Sequence, residues 1–168
     1  MKLSPNNQAL VIRPAGDHDR IFLEKLHAST RDDFTLIDDH PDFIEGLIQQ
    51  QYRAQTEGYG NQFPNAMYFI VEKHQQAIGK VTVDFGHNEV RVIEIAFIRE
   101  ARGKGLGEEI IRCLQNAAAQ VATPLTLSVY SGNWQAKNFY LAMGFVVEDV
   151  QPPYEFMVWY PAAQKISV

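Results

Sequence analysis

Arg102-Gly103-Lys104-Gly105-Leu106-Gly107 sets three glycines at alternate positions with two cations, between an apolar stretch and an amphipathic one. A turn of this kind, placed between a strand and a helix, is suited to an anion. The first N–H groups of a helix have no intrahelical partner, and the helix dipole adds partial positive charge. Glycine admits positive φ and lets a phosphate approach with no Cβ in the way. The plainer alternative is a ligand-free glycine-rich connection, although turn geometry alone does not require three glycines beside two cations. Two familiar nucleotide loops do not fit. The P-loop needs Ser or Thr after Gly-Lys, but Lys104 is followed by Gly105; the dinucleotide fingerprint needs a glycine where Glu108 stands.

A second group lies downstream in SVYSGNWQAKNFYLAMGF, Ser128 to Phe145. It holds Asn133 at a helix start, Ala136, the pair Phe139-Tyr140, and Gly144-Phe145. The first group has the form Gln/Arg-x-x-Gly-x-Gly/Ala after a strand and before a helix. With the second group behind it, Ile93 to Phe145 resembles the GNAT superfamily of acetyl-coenzyme A-dependent N-acetyltransferases. The resemblance implies that the glycine turn, Arg102 to Gly107, binds the pyrophosphate of coenzyme A. It further implies that Ile95 and Phe97 offer main-chain groups to the pantetheine arm, which lies between two splayed strands like an added strand.

Asn133, Ala136 and Tyr140 each have two readings. Asn133 can cap the following helix or make a polar contact to the arm. Ala136 and Tyr140, four apart, share a helix face, and a small residue at 136 leaves room for a cofactor. Taken alone, Tyr140 reads as a half-buried core tyrosine. The resemblance makes it the acid that protonates the departing thiolate.

The implied reaction is direct attack of an amine on the acetyl thioester in a ternary complex. An alkyl amine with a pKa near ~10 must lose a proton, and the oxyanion needs a donor, for which the Phe97 N–H is the expected source. Glu94, an acid within the apolar run VIEIAF, is the first candidate base. Strand alternation puts it on the side away from Ile93, Ile95 and Phe97, where it can also simply face solvent or pair. Asp84 on the neighbouring strand and a water chain are the alternatives. Ser128 stands where some members of the family place an acid.

These residues need elements to hold them. Gln8 to Pro14 reads as a short strand, and Asp17 as the cap of a helix carrying Ile21, Phe22, Leu26 and Thr30. A second helix opens at Pro41 with Phe43, Ile44, Leu47, Ile48 and Tyr52. Strands follow at Ala66–Lys73, Ala77–Phe85 and Glu89–Ile98. Leu106, Ile110, Ile111, Leu114, Ala117, Ala118 and Val121 recur at helical spacing. A strand Leu125–Tyr130, a helix from Trp134 to Met143 stopped by Gly144, and strands Phe145–Val150 and Tyr154–Tyr160 complete the order. Tight turns between three strands and a crossover through the glycine turn predict an α/β protein. Its sheet would be a mixed, mostly antiparallel one of about seven strands, flanked by about four helices. The 168 residues are expected to form a single domain.

Composition narrows the partners. Hydrophobic residues at 46% and charged residues at 21% fit an ordered globular chain. A net charge of −5 argues against nucleic acid as main partner. No apolar run approaches the ~20 residues of a membrane helix, and MKLSPNNQAL lacks the apolar core of a signal peptide. With one cysteine, Cys113, expected as a buried helix residue, the location is expected to be cytoplasmic. The five histidines show no metal-binding spacing, so no metal is expected. Asp32, Asp33, Asp38, Asp39, Asp42 and Glu45 form either the acceptor side for a cationic amine or a solvated helix region. Phe34, Tyr52, Tyr59 and Phe63 either line an acceptor pocket or pack. The acceptor is a small-molecule or peptide amine. Trp159 and Tyr160 leave a homodimer open. The reading from a different class is a non-catalytic acyl-CoA-binding module on the same fold.

Overall fold

The structure, a computed structural model, describes residues 10–29 and 63–162. The expected helix from Pro41 and the acidic segment around it lie outside these residues. Seven strands form one sheet: β1 (Leu10–Pro14), β2 (Ala66–Lys73), β3 (Gln76–Phe85), β4 (Val90–Phe97), β5 (Leu125–Tyr130), β6 (Val146–Gln151) and β7 (Tyr154–Trp159). Their spatial order is β1-β2-β3-β4-β5-β7-β6. Every neighbouring pair is antiparallel except β4 and β5, which are parallel and joined by a helix. The described helices are α1 (Arg20–Ser29), α2 (Leu106–Gln120) and α3 (Trp134–Ala142). The mixed α/β architecture expected from the sequence is therefore present.

Alternation along the strands builds two faces. Phe69, Val71, Val81, Val83, Val90 and Val92 turn to one side and form the main core with Ile110, Ile111, Leu114 and Ala118 of α2. Those α2 residues recur at the three- and four-residue spacing that gives a helix one apolar stripe. Lys80, Thr82 and Glu94 turn to the other side. There α1 contacts β3, and its buried Leu26 lies outside the main core.

The start of the first helical segment differs from the expectation. Asp17 does not cap it. A single 3-10 turn, Asp17–Asp19, begins at Gly16, and Asp19 accepts the Gly16 N–H at 2.8 Å. Asp19 is buried because it also takes both ends of the Arg13 guanidinium, at 2.7 and 2.8 Å. Arg13 reaches Glu72 on β2 as well, tying β1, β2 and the helix entry together. The Arg13 hydrogen bonds hold the Asp19 carboxyl down at about 2, with the Gly16 N–H adding to the effect. The depressed value stabilises the fold fully above the ordinary aspartate value of ~3.9. That contribution is lost as pH falls through about 2. Asp19→Asn is expected to cost on the order of 2 kcal/mol in urea unfolding at pH 7. The gap from wild type should narrow at pH 3, and a gap independent of pH would count against the ion pair as its cause.

Candidate active site

β4 and β5 share only two register pairs, Val90↔Leu125 and Arg91↔Thr126, and beyond them the strands part. The pairing of β3 with β4 shows why the open edge of β4 carries usable groups. Ile98 donates its N–H to Ile78 at 2.9 Å, on the β3 side. Backbone groups alternate in direction along a strand, so the N–H groups of Phe97 and Ile95 point to the opposite, unpaired edge. The Phe97 carbonyl on that edge accepts from Arg102 Nε at 3.1 Å. Arg102 thus braces the strand end while the rest of its guanidinium is exposed.

The glycine turn completes the wide end of the gap. Gly103 and Gly105 hold φ of +73° and +78°, and a Cβ at either would meet nothing within 4 Å among the described residues. The conformation there requires glycine, and the space beside it is open. Gly105 is the N-cap of α2 with no side chain closing it, so the first N–H groups of the helix face outward. An open cradle, positive φ and an uncapped helix start fit a pyrophosphate. Leu106 sends its side chain into the core, which leaves only its main chain for a ligand. Glu108 pairs with Arg112 at 2.6 Å, one turn down the helix, so its charge is partnered away from the cradle.

α3 is fixed at both ends. Asn133 Oδ1 accepts the Ala136 N–H at 3.1 Å, so the capping role is present, and the Asn133 side-chain nitrogen has no partner among the described residues. At the other end Gly144, with φ +95°, donates to Leu141 at 3.1 Å, and Phe145 donates to the Tyr140 carbonyl at 3.1 Å. This is the helix-ending motif in which the residue two past the cap packs back on the last turn. The Tyr140 ring sits edge-on to buried Phe145 at 5.5 Å and to Phe139 at 5.2 Å. Phe139 and Phe97 both reach Gly107, at 3.8 and 4.0 Å from where its Cβ would be. The turn, the end of β4 and α3 therefore meet. The Tyr140 hydroxyl has no hydrogen-bond partner among the described residues, and burial raises the phenol above its ordinary value of 10.0.

Glu94 is elsewhere. It pairs with Lys80 Nζ at 3.0 Å on the α1 face, whereas Tyr140 packs against the α2-side core. Between them β4 and β5 are paired only at Val90↔Leu125 and Arg91↔Thr126. Asp84 lies on the Glu94 side, two ladder steps farther from Phe97.

One sequence expectation needs correction. Thr82 pairs with Glu94 and Val83 with Val92, so Ile93 is bulged out of the ladder. Strict alternation would turn Ile93 with Ile95 and Phe97. Those two pack against the core, while Ile93 lines a cavity on the other face. The apolar pattern carries the signal, because Val92 and Ile93 are adjacent apolar residues where the alternation changes phase. Sequence reasoning also missed Lys80 as the partner of Glu94 and the role of Arg102 at the Phe97 carbonyl. Cys113 is buried as expected. Trp159 packs on the main core, and Tyr160 bonds Glu148 within the chain. Among the described residues no cluster of His, Cys, Asp or Glu is arranged for a metal, and no helix is long and apolar enough to cross a membrane.

The model of the acetyltransferase (GNAT) domain family matches residues 64–147, half of the 168-residue chain. An uncharacterized N-acetyltransferase of Methanocaldococcus jannaschii is 28% identical over 101 residues, covering 58% of this chain and 63% of the relative. The match thus spans under two thirds of that curated relative. Among solved structures, the chain resembles the PaiA N-acetyltransferase of Thermoplasma acidophilum in complex with coenzyme A. The TM-score is 0.69 at 16% identity, over 91% of this chain and 99% of that one. An acetyltransferase of Thermus thermophilus gives a TM-score of 0.65 at 20% identity, over 95% and 99%. At these identities the structural likeness concerns the fold.

Proposed function

Because this chain belongs to the acetyltransferase (GNAT) family, we propose that it transfers an acetyl group from acetyl-CoA to a primary amine of a small molecule or peptide. The amine attacks directly within a ternary complex. The observation that carries this reading is the meeting of three features at one gap. They are an open glycine cradle at an uncapped helix start, the unpaired edge of β4, and a half-buried tyrosine on α3 whose hydroxyl no described residue engages.

Acetyl-CoA supplies an acetyl group activated as a thioester. The N–H groups of Gly103 to Gly107 bind its pyrophosphate, with Lys104 and the free edge of Arg102 adding positive charge. Ile95 and Phe97 align the arm along β4, and Ala136 leaves it room beside α3. The amide nitrogen of Asn133 is a further donor to the arm. Phe97 sits beside the glycine cradle, at the pyrophosphate end of the gap. The oxyanion donor is therefore placed two residues inward, at the Ile95 N–H on the same unpaired edge. Tyr140 Oη holds a proton throughout the neutral range and gives it to the thiolate. An ordinary phenol and thiol differ by about 1.5 pKa units, so this transfer is uphill by about 2 kcal/mol before burial adds to it. That is small beside the barrier it helps to lower.

Glu94 takes the amine proton, directly or through one water, with Lys80 fixing the carboxylate. Glu94→Gln is expected to lower kcat/KM about 10²-fold at neutral pH, the lower end for a positioned base, because water serves an amine that is already free. The deficit should shrink as pH rises toward the amine pKa. Unchanged kinetics would transfer the role to Asp84 or to water.

The decisive experiment is a thiol-release screen over polyamines, aminosugars, amino acids and peptide N-termini. Release that depends on an added amine supports the proposal. Acetyl-CoA binding without turnover across the panel, and indifference to Tyr140→Phe, would instead mark a non-catalytic acyl-CoA-binding module.

A further inference from the structure

We infer that the acceptor amine also carries a carboxylate, and that Arg91 binds it. This rests on the acetyl-transfer reading above. A cavity of about 470 Å³ lies beside the start of β4, its lining including Arg91, Val92 and Ile93 together with Phe63, Ser128 and Tyr154. Arg91 stands at the vertex where β4 and β5 part, paired with Thr126. Its guanidinium lies 5.9 Å from the Phe63 ring centroid and 5.1 Å from that of Phe156. One Nη2 hydrogen bond, at 2.7 Å, goes to Ser128 Oγ. Two ring faces and one hydroxyl fix the plane of the group and leave its remaining N–H donors at the edge. Among the described residues no carboxylate is within ion-pair distance of it. Three other cations among the described residues are paired: Arg13 with Asp19 and Glu72, Lys80 with Glu94, and Lys137 of α3 with Glu155. A fixed arginine fork with no counter-anion among the described residues, beside a cavity, matches the shape and charge of a carboxylate.

Position ties this group to the acceptor rather than to coenzyme A. Arg91 and Phe97 are five ladder steps apart, Asp84 to Gly79 on the partner strand, or roughly 17 Å. The glycine cradle lies at the Phe97 end. Arg91 and Glu94 share a face and are only two steps apart, Asp84 to Thr82, or about 7 Å between Cα atoms. The bulge at Ile93 brings this about by returning Glu94 to the Arg91 face. An amine at Glu94 and a carboxylate at Arg91 are then separated by the length of a small amino acid.

The test compares acids with their neutral counterparts. Thiol release is measured with glycine, β-alanine, aspartate and other free amino acids, with the corresponding carboxamides, and with 2-aminoethyl phosphate. Wild type is expected to favour acid over amide on the order of 10- to 100-fold in kcat/KM, the range for a hydrogen bond to a charged group. In Arg91→Met the ratio should collapse toward one, and in Arg91→Lys it should recover in part. Preference for the phosphate over every carboxylate would make phosphate the anion and overturn the carboxylate assignment. Equal use of acids and amides by wild type, or equal loss for both in Arg91→Met, would overturn the inference and leave acetyl transfer standing. Calorimetric titration of the same acids into both proteins, with coenzyme A present, separates the other case. Arg91-dependent binding without thiol release would keep the anion subsite and remove the catalytic reading. No Arg91-dependent binding together with no acid preference overturns the subsite.

Discussion

Tyr140→Phe is expected to lower kcat by about 10²- to 10⁴-fold, the range for a positioned acid, with acetyl-CoA affinity changed by no more than about threefold, because the lost hydroxyl binds no described residue in the free protein. The substitution is a clean one for physical reasons. The ring keeps its edge contacts with Phe139 and Phe145, and the hydroxyl has no partner among the described residues to strand. Thermal stability should therefore stay near that of wild type, and the loss should be confined to turnover. Steady-state kinetics at saturating acetyl-CoA read the kcat term, and calorimetry with acetyl-CoA reads the binding term. Burial raises the phenol, so it stays protonated across the neutral range. The wild-type rate should then show no alkaline decline from this group below ~10. Full turnover in Tyr140→Phe would remove the residue from the reaction and return it to the core.

Gly105→Glu is expected to weaken acetyl-CoA binding by about 10²- to 10³-fold, since two like charges ~4 Å apart near a protein surface repel by up to about 4 kcal/mol. Gly105 has φ +78° and open space beside it. An added Cβ therefore meets no described atom within 4 Å, and the effect divides into two parts. Strain from a side chain at positive φ costs about 1–2 kcal/mol and falls mainly on stability. Repulsion between the new carboxylate and the pyrophosphate falls on binding. Gly105→Ala carries the first part without the second. It should lower the melting temperature while weakening acetyl-CoA far less than Gly105→Glu does. Equal affinity in wild type and Gly105→Glu would sink the assignment of the cradle to pyrophosphate.

Much of this was legible in the sequence. Ala66–Lys73 and Leu125–Tyr130 begin and end where their apolar patterns do, because a half-buried strand writes its alternation directly into residue type. The stripe from Leu106 to Ala118 names the face of α2 that meets the sheet. The glycines at 103, 105 and 144 announce positive φ, and all three have it. Asn133 announces a cap and supplies it. These are local rules, satisfied within a few residues of chain, and the cradle and the seating of Tyr140 on Phe145 follow from them.

What only the tertiary structure decided is which distant residues share a space. Lys80 lies fourteen positions before Glu94 and becomes its partner through the β3–β4 register. A single bulged residue, Ile93, sets which face Glu94 and Arg91 occupy, and one-residue shifts reverse every side chain beyond them. Arg91, Ser128, Phe63 and Phe156 come from four separate stretches and meet only because β5 lies between β4 and β7. The sequence by itself determined the glycine cradle, since a helix start and its glycines carry their own geometry. The gap between β4 and β5, and the cation waiting beside it, arise from strand order and register, which no local pattern encodes.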